Sequence, residues 1–227
     1  MQDAMAATEL RRVMVDCQIR PFDVTDRAVL GAMLSVPREI FVGAENAPIC
    51  FSDAALTVSG DGAKRRLLAP MTLARMLQEA AIGPSSRVLD VAGGAGYSAA
   101  LIASLAREVV ALEEDAGFVR RANENFGRIG LANARAVMGP LDRAPAGSGP
   151  FDVIFVNGAV EDGLEGLFSA LAPGGRLLAV QRSPGQGGRA GRAVRFDRID
   201  GKTSVKRLFD ASASVLPGFA ANPAFAF

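Results

Sequence analysis

Residues 88–101 read VLDVAGGAGYSAAL, and the fold turns on this stretch. The run 87–91 is largely apolar and carries one acid, Asp90, near its end. Gly93, Gly94 and Gly96 follow, then an uncharged, helix-favouring run over 98–106. Apolar run, glycine cluster and helix pattern predict strand, tight turn, helix. Glycine permits a sharp turn and lets a ligand lie against the backbone. The helix leaves its first N–H groups free for something polar or anionic.

The dinucleotide spacing G-x-G-x-x-G fails here, because the chain from Ala92 gives A-G-G-A-G-Y-S. The turn instead resembles the D-x-G-x-G-x-G turn of class I methyltransferases, with Ala92 at the first glycine. A glycine turn with no ligand is the competing reading. A second signal lies downstream, where a short apolar strand pattern ends in Glu113, Glu114 and Asp115. An acid about 20 residues past such a turn sits at the carboxyl end of the next strand, where its oxygens can accept both ribose hydroxyls. A solvated acidic run opening the next helix is the alternative.

Composition sets bounds. The 227 residues fit one large domain with additions or two small ones, and 49% hydrophobic with 22% charged is ordinary globular usage. A net charge of +1 points to no nucleic-acid partner. Cys17 and Cys50 form neither a metal-ligand spacing nor a disulfide framework, which favours a reducing compartment. The chain has no histidine, so histidine serves neither as base nor as zinc ligand, and no metal is expected. Residues 1–17 lack a signal-peptide pattern, and no apolar run reaches the roughly 20 residues of a membrane span. A cytoplasmic location is expected.

Taken in order, residues 6–19 place Leu10, Val13, Met14 and Cys17 on one helical stripe. Thr25 or Asp26 can cap a second helix. Lys64, Arg65 and Arg66 read as a solvated loop, with an anion clamp as the alternative. Pro70 opens a third helix with Met71, Ala74, Met76, Leu77 and Ala81 inward. From residue 87 onward strand and helix patterns alternate, which implies a parallel sheet with helices on both faces. Asp90, Glu113, Gly139 and Asn157 fall at or near carboxyl ends of strands and converge on one crevice. Residues 183–191 read as a flexible loop. An Asp-Gly joint at 200–201 between extended runs signals a hairpin. The tail 216–227 is apolar, with Phe219, Phe225 and Phe227, and packs down, lids the site or meets a partner.

Motifs along nearly the whole chain resemble the protein-L-isoaspartate O-methyltransferase family, in its divergent alphaproteobacterial form. They include MVDCQIRP, VTDRAVLGAML with VPREIFV, PMTLARMLQ, VLDVAGGAGYSAALIA, VVALEED, FDVIFVNGAV, LAPGGRLLAV and the LPGF tail. The resemblance implies a Rossmann-like, mostly parallel seven-stranded α/β sheet flanked by helices, with an N-terminal helical extension (1–69) packed on the methyltransferase unit (70–227) and a C-terminal β-hairpin. It implies transfer of the S-adenosylmethionine methyl to an isoaspartyl carboxylate of a protein or peptide. A carboxylate is already a nucleophile at pH 7, so positioning and desolvation suffice and no catalytic base is assigned.

By that resemblance Asp90, Ala92, Gly93, Gly94 and Gly96 lie under the cofactor, Glu113 holds its ribose, and Gly139 and Asn157 line its adenine and amino-acid sides. Arg66, Leu67, Leu68 and Ala69 border the acceptor. Three positions depart from the family pattern. Leu68 replaces a substrate-contacting serine, Pro140 an acid that faces the adenine, and Ala92 a glycine. Arg65 and Arg66 could hold a carboxylate in place of that serine. These departures keep two alternatives open: a catalytically degenerate member acting as a binding or assembly protein, with the apolar tail as one partner surface, and a methyltransferase with another acceptor.

Overall fold

The structure is a computed structural model and describes residues 2–184, 190–199 and 201–221. The chain opens with α1 (Gln2–Met14), which runs into a π turn over Val15–Ile19. Next comes α2 (Arg27–Ser35), capped by the Asp26 side chain accepting from the Ala28 and Val29 N–H groups. A two-stranded hairpin follows, β1 (Thr57–Ser59) antiparallel to β2 (Lys64–Arg66). Then come α3 (Pro70–Ala80), β3 (Arg87–Val91), α4 (Tyr97–Ala103), β4 (Glu108–Glu113) and α5 (Ala116–Arg128). The chain continues through β5 (Ala134–Met138), β6 (Phe151–Val160), α6 (Glu165–Ser169), β7 (Leu171–Gln181), β8 (Ala190–Ile199) and β9 (Lys202–Ser212).

The main sheet has seven strands in the order β5-β4-β3-β6-β7-β8-β9. The first five are parallel; β8 and β9 add antiparallel at one edge, as the hairpin reading expects. Asp200 of that joint and the loop 185–189 lie outside the described residues, as do Phe225 and Phe227. Strand order reverses between β3 and β6, and that switch point is where such sheets open a crevice.

Alternation along the strands sorts the core into two layers. Val88, Val109, Val153 and Phe155 pack with α2, α3, α4 and α5, whereas Leu89, Val91, Val110 and Ile154 face the other way. The second face carries the short α6 together with Leu141, Leu216 and Phe219 rather than a full helical layer. The expectation of helices on both faces is corrected to that extent. Residues 139–150, between β5 and β6, form no helix; they hold Pro140, Pro145 and Pro150, which lack the N–H a helix interior needs. The tail fills the gap. Phe219 is fully buried, its carbonyl accepts from the Glu161 and Asp162 N–H groups, and Leu216 lies over Gly158.

Two further expectations are corrected. Of the first helical stripe Met14 is buried as expected, but Leu10, Val13 and Cys17 are exposed, and α1 buries Arg11 in their place. Arg11 turns inward because its guanidinium donates to the Leu34 carbonyl and to Glu39. Ala81 is an exposed left-handed C-cap of α3, and Met71 is half-buried; Leu73 and Ala80 complete the buried face instead.

Candidate functional site

The crevice is built where β3, β4 and β6 end. Residues 92–96 turn sharply, with Ala92, Gly94 and Gly96 all at positive φ. Ala92 sits at φ 61, a conformation that costs an L-residue about 1 kcal/mol. Asp90 is fully buried, and its carboxylate accepts from Ser98 Oγ at 2.7 Å and Asn157 Nδ2 at 2.8 Å. Asn157 also donates to the Val91 carbonyl at 3.0 Å, fastening β6 to the end of β3. Burial pushes the Asp90 carboxyl up to about 7, and the Glu113 charge adds to the rise, against the two donors.

Glu113 ends β4, as the sequence spacing places it, and its side chain is 2% exposed. Its Oε1 accepts from the Gly94 N–H at 2.7 Å and from Arg65 Nε at 3.2 Å, and its Oε2 accepts from Arg65 Nη2 at 2.8 Å. Arg65 Nη2 also donates to Glu114 at 3.0 Å. Arg65 is therefore neither in a solvated loop nor free to hold a ligand. It is the inward residue of β2, since alternation leaves Lys64 exposed and Arg66 half-buried. The hairpin tip is fastened as well. The Asp115 carboxylate accepts from the N–H groups of Asp61, Gly62 and Ala63, and also caps α5 through Phe118. Burial works against the charged Asp115, but these four N–H donors outweigh it and hold the carboxyl well below its ordinary range.

Leu67 and Leu68 are buried, Leu67 with Val58 and Phe118 and Leu68 in the main core. Ala69 is the N-cap of α3. Gly139 donates its N–H to the Glu113 carbonyl beyond β5, and Pro140 is exposed next to it. The structure thus brings Asp90, the turn, Glu113 and Asn157 together and places Leu67 and Leu68 against the turn. Among the described residues Arg66 forms no hydrogen bond or ion pair with these groups.

The donor and acceptor types suit an adenosyl ligand, and in this arrangement the hairpin lies close over the turn. Leu67 and Val58 lie 3.3 Å from where a Gly94 Cβ would stand, and Glu113 already accepts three hydrogen bonds. Between the turn and Leu67–Leu68 a cavity of about 10 Å³ remains, against the roughly 300 Å³ or more of a small-molecule site.

The sequence reading passed over Arg38. It is fully buried, with its guanidinium carbon 4.6 Å from the Tyr97 ring centre, and it lines the small cavity with Leu67, Leu68, Gly93, Ser98 and Asn157. Its Nε donates to the Cys50 carbonyl at 2.8 Å, while Nη1 and Nη2 have no hydrogen-bond partner among the described residues. The available signal was an arginine inside an otherwise apolar run, VPREIFV. Among the described residues no group of three or more His, Cys, Asp and Glu is placed to hold a metal, and no helix is long and apolar enough to cross a membrane.

The sheet order, the glycine turn and the acid ending β4 define a Rossmann-like methyltransferase. The chain belongs to the protein-L-isoaspartate(D-aspartate) O-methyltransferase family, whose model matches residues 11–212. It is 37% identical over 174 residues to a protein-L-isoaspartate O-methyltransferase of Koribacter versatilis, covering 77% of each chain. It is 32% identical over 210 residues to protein-L-isoaspartate O-methyltransferase 2 of Rhodopseudomonas palustris, covering 92% of this chain and 94% of the relative. A solved protein-L-isoaspartate O-methyltransferase has the same fold, with TM-score 0.78 and 24% identity over 93% of this chain and 66% of that one. A Plasmodium falciparum structure, described as a beta-aspartate methyltransferase in complex with S-adenosyl-L-homocysteine, gives TM-score 0.72 at 21% identity, over 93% and 98% of the two chains.

Proposed function

We propose that this protein is an S-adenosylmethionine-dependent methyltransferase acting on an isoaspartyl carboxylate of a protein or peptide. Membership of the family supports the reaction class. The observation that carries the site is Glu113 at the end of β4, hydrogen-bonded to the N–H of Gly94 in the turn. Asp90, Gly93 and Asn157 complete that end of the sheet. For the cofactor to enter, Arg65 must leave Glu113, and the hairpin must shift with it. The test is calorimetric titration with S-adenosylhomocysteine, followed by transfer of labelled methyl groups from S-adenosylmethionine to an isoaspartyl peptide. Micromolar binding and labelling, both weakened in Glu113→Gln, are expected.

A second reading is favoured by the buried Arg65–Glu113 pair: a family member that keeps the scaffold shut and serves as a binding protein. It becomes the better account if neither the wild type nor Arg65→Ala binds S-adenosylhomocysteine.

A further inference from the structure

Arg38 is a cation whose demand the fold leaves unmet. It belongs to a buried group with Arg11 and Glu39, around Cys50 and Tyr97, which holds two cations and one anion. Arg11 takes the one carboxylate at 2.9 Å. Arg38 keeps one hydrogen bond, to a neutral carbonyl, and one aromatic face. A buried guanidinium left without a counter-charge is costly, and a fold that needed only packing would be served as well by methionine. The two unpartnered nitrogens, Nη1 and Nη2, present the parallel donors that suit a planar carboxylate. Arg38 borders the cavity beside Leu68, the position expected to face the acceptor.

We propose that Arg38 is the acceptor-recognition residue: it pairs with the carboxylate of an isoaspartyl peptide and so supplies the donor that Leu68 cannot. This rests on the methyltransferase reading above. Arg38 comes from the N-terminal extension, outside the strands and turn assigned to the cofactor, so acceptor and cofactor are held by separate parts of the chain. Leu67 and Leu68, the opposite wall, lie two and three positions after Arg65, just past the end of β2. Access to Arg38 therefore opens with the movement that frees Glu113.

The test compares a fluorescent isoaspartyl peptide with the same peptide carrying a carboxamide in place of that carboxylate. Anisotropy is read for the wild type, Arg65→Ala, Arg38→Met and Arg38→Lys. The proteins with Arg38 are expected to prefer the carboxylate by about tenfold or more, as a charge-assisted pair requires. Arg38→Met should lose that preference and Arg38→Lys retain part of it. Thermal melting of Arg38→Met should match or exceed the wild type, since a cation kept for a ligand is not kept for stability. A preference unchanged in Arg38→Met overturns the proposal. So does a fall in S-adenosylhomocysteine affinity with peptide preference intact, because Arg38 would then serve another carboxylate. If no protein binds either peptide, the proposal also falls, while S-adenosylhomocysteine binding by the same samples leaves the methyltransferase reading standing.

Discussion

Arg65 and Glu113 form a two-point ion pair, Nε to Oε1 and Nη2 to Oε2, with side chains only 3% and 2% exposed. A ligand diol and this guanidinium compete for the Glu113 oxygens. Binding then draws on the fraction of molecules in which Arg65 has withdrawn, and the apparent affinity falls by that fraction. Arg65→Ala is expected to tighten S-adenosylhomocysteine binding at least about tenfold by calorimetry. The cost is about 3 kcal/mol of stability, from the carboxylate left unpaired. Arg65→Gln keeps an amide NH2 donor and serves if the alanine variant unfolds. Equal affinity in the wild type and both variants would show that Arg65 leaves its partner at no cost.

Asp115 ties the hairpin tip to the start of α5. Removing its carboxylate leaves the N–H groups of Asp61, Gly62 and Ala63 without their acceptor and uncaps the helix. Asp115→Ala is expected to lose about 2 kcal/mol. Amide hydrogen exchange at residues 61–66 should accelerate more than exchange in β3. Because the folded carboxyl lies below its unfolded value, this contribution is complete above the ordinary carboxylate range and fades only in stronger acid. Unchanged exchange in the hairpin would mean that something else holds it down.

The central strands were legible because they are buried on both faces and so read as apolar runs; residues 87–91 coincide with β3. The turn was legible because glycine marks positive φ. The residues that matter most at the site were hidden by their charge. Lys64, Arg65 and Arg66 look like a solvated run, yet strand alternation turns the middle one inward to an acid 48 positions away. Alternation through TVS and KRR about a Gly-rich turn was the signal to use. The α1 stripe misled because Arg11 carries inward contacts that apolar periodicity does not count, and because the chain changes pitch after Met14. Pairings between distant charged residues leave no local pattern, so the closed state of the crevice could not be read in advance.

Asp90 gives the fold a pH dependence of definite sign. Its carboxyl is pushed up to about 7 when folded, from an ordinary value of 3.8. Across that window the folded chain holds a proton that the unfolded chain has released. Stability from this group therefore falls as pH rises and levels off above 7. Asparagine in its place still accepts from Asn157 and can donate to Ser98 Oγ. In urea unfolding at pH 5 and pH 8, the wild type is expected to lose up to a few kcal/mol relative to Asp90→Asn. Parallel pH profiles would place the Asp90 carboxyl near its ordinary value.

Of the turn's three residues at positive φ, Gly96 and Ala92 should differ in the size of their substitution effects. At Gly96, φ is 95, and an added Cβ would stand 2.7 Å from the Phe126 ring and 3.1 Å from the Ala122 Cβ. Both belong to the buried face of α5, which cannot retreat without opening the core. Gly96→Ala thus adds left-handed strain to overpacking, together about 3 kcal/mol, or roughly 10 °C in melting temperature for a chain of this length. At Ala92 the strain is already present, at φ 61 with the methyl buried. Ala92→Gly relieves about 1 kcal/mol but gives a similar amount back to the unfolded chain, so its melting temperature should stay within a few degrees of the wild type. A mild Gly96→Ala would mean that α5 can slide on the turn, and the crevice would then be softer at its base than the Phe126 contact implies.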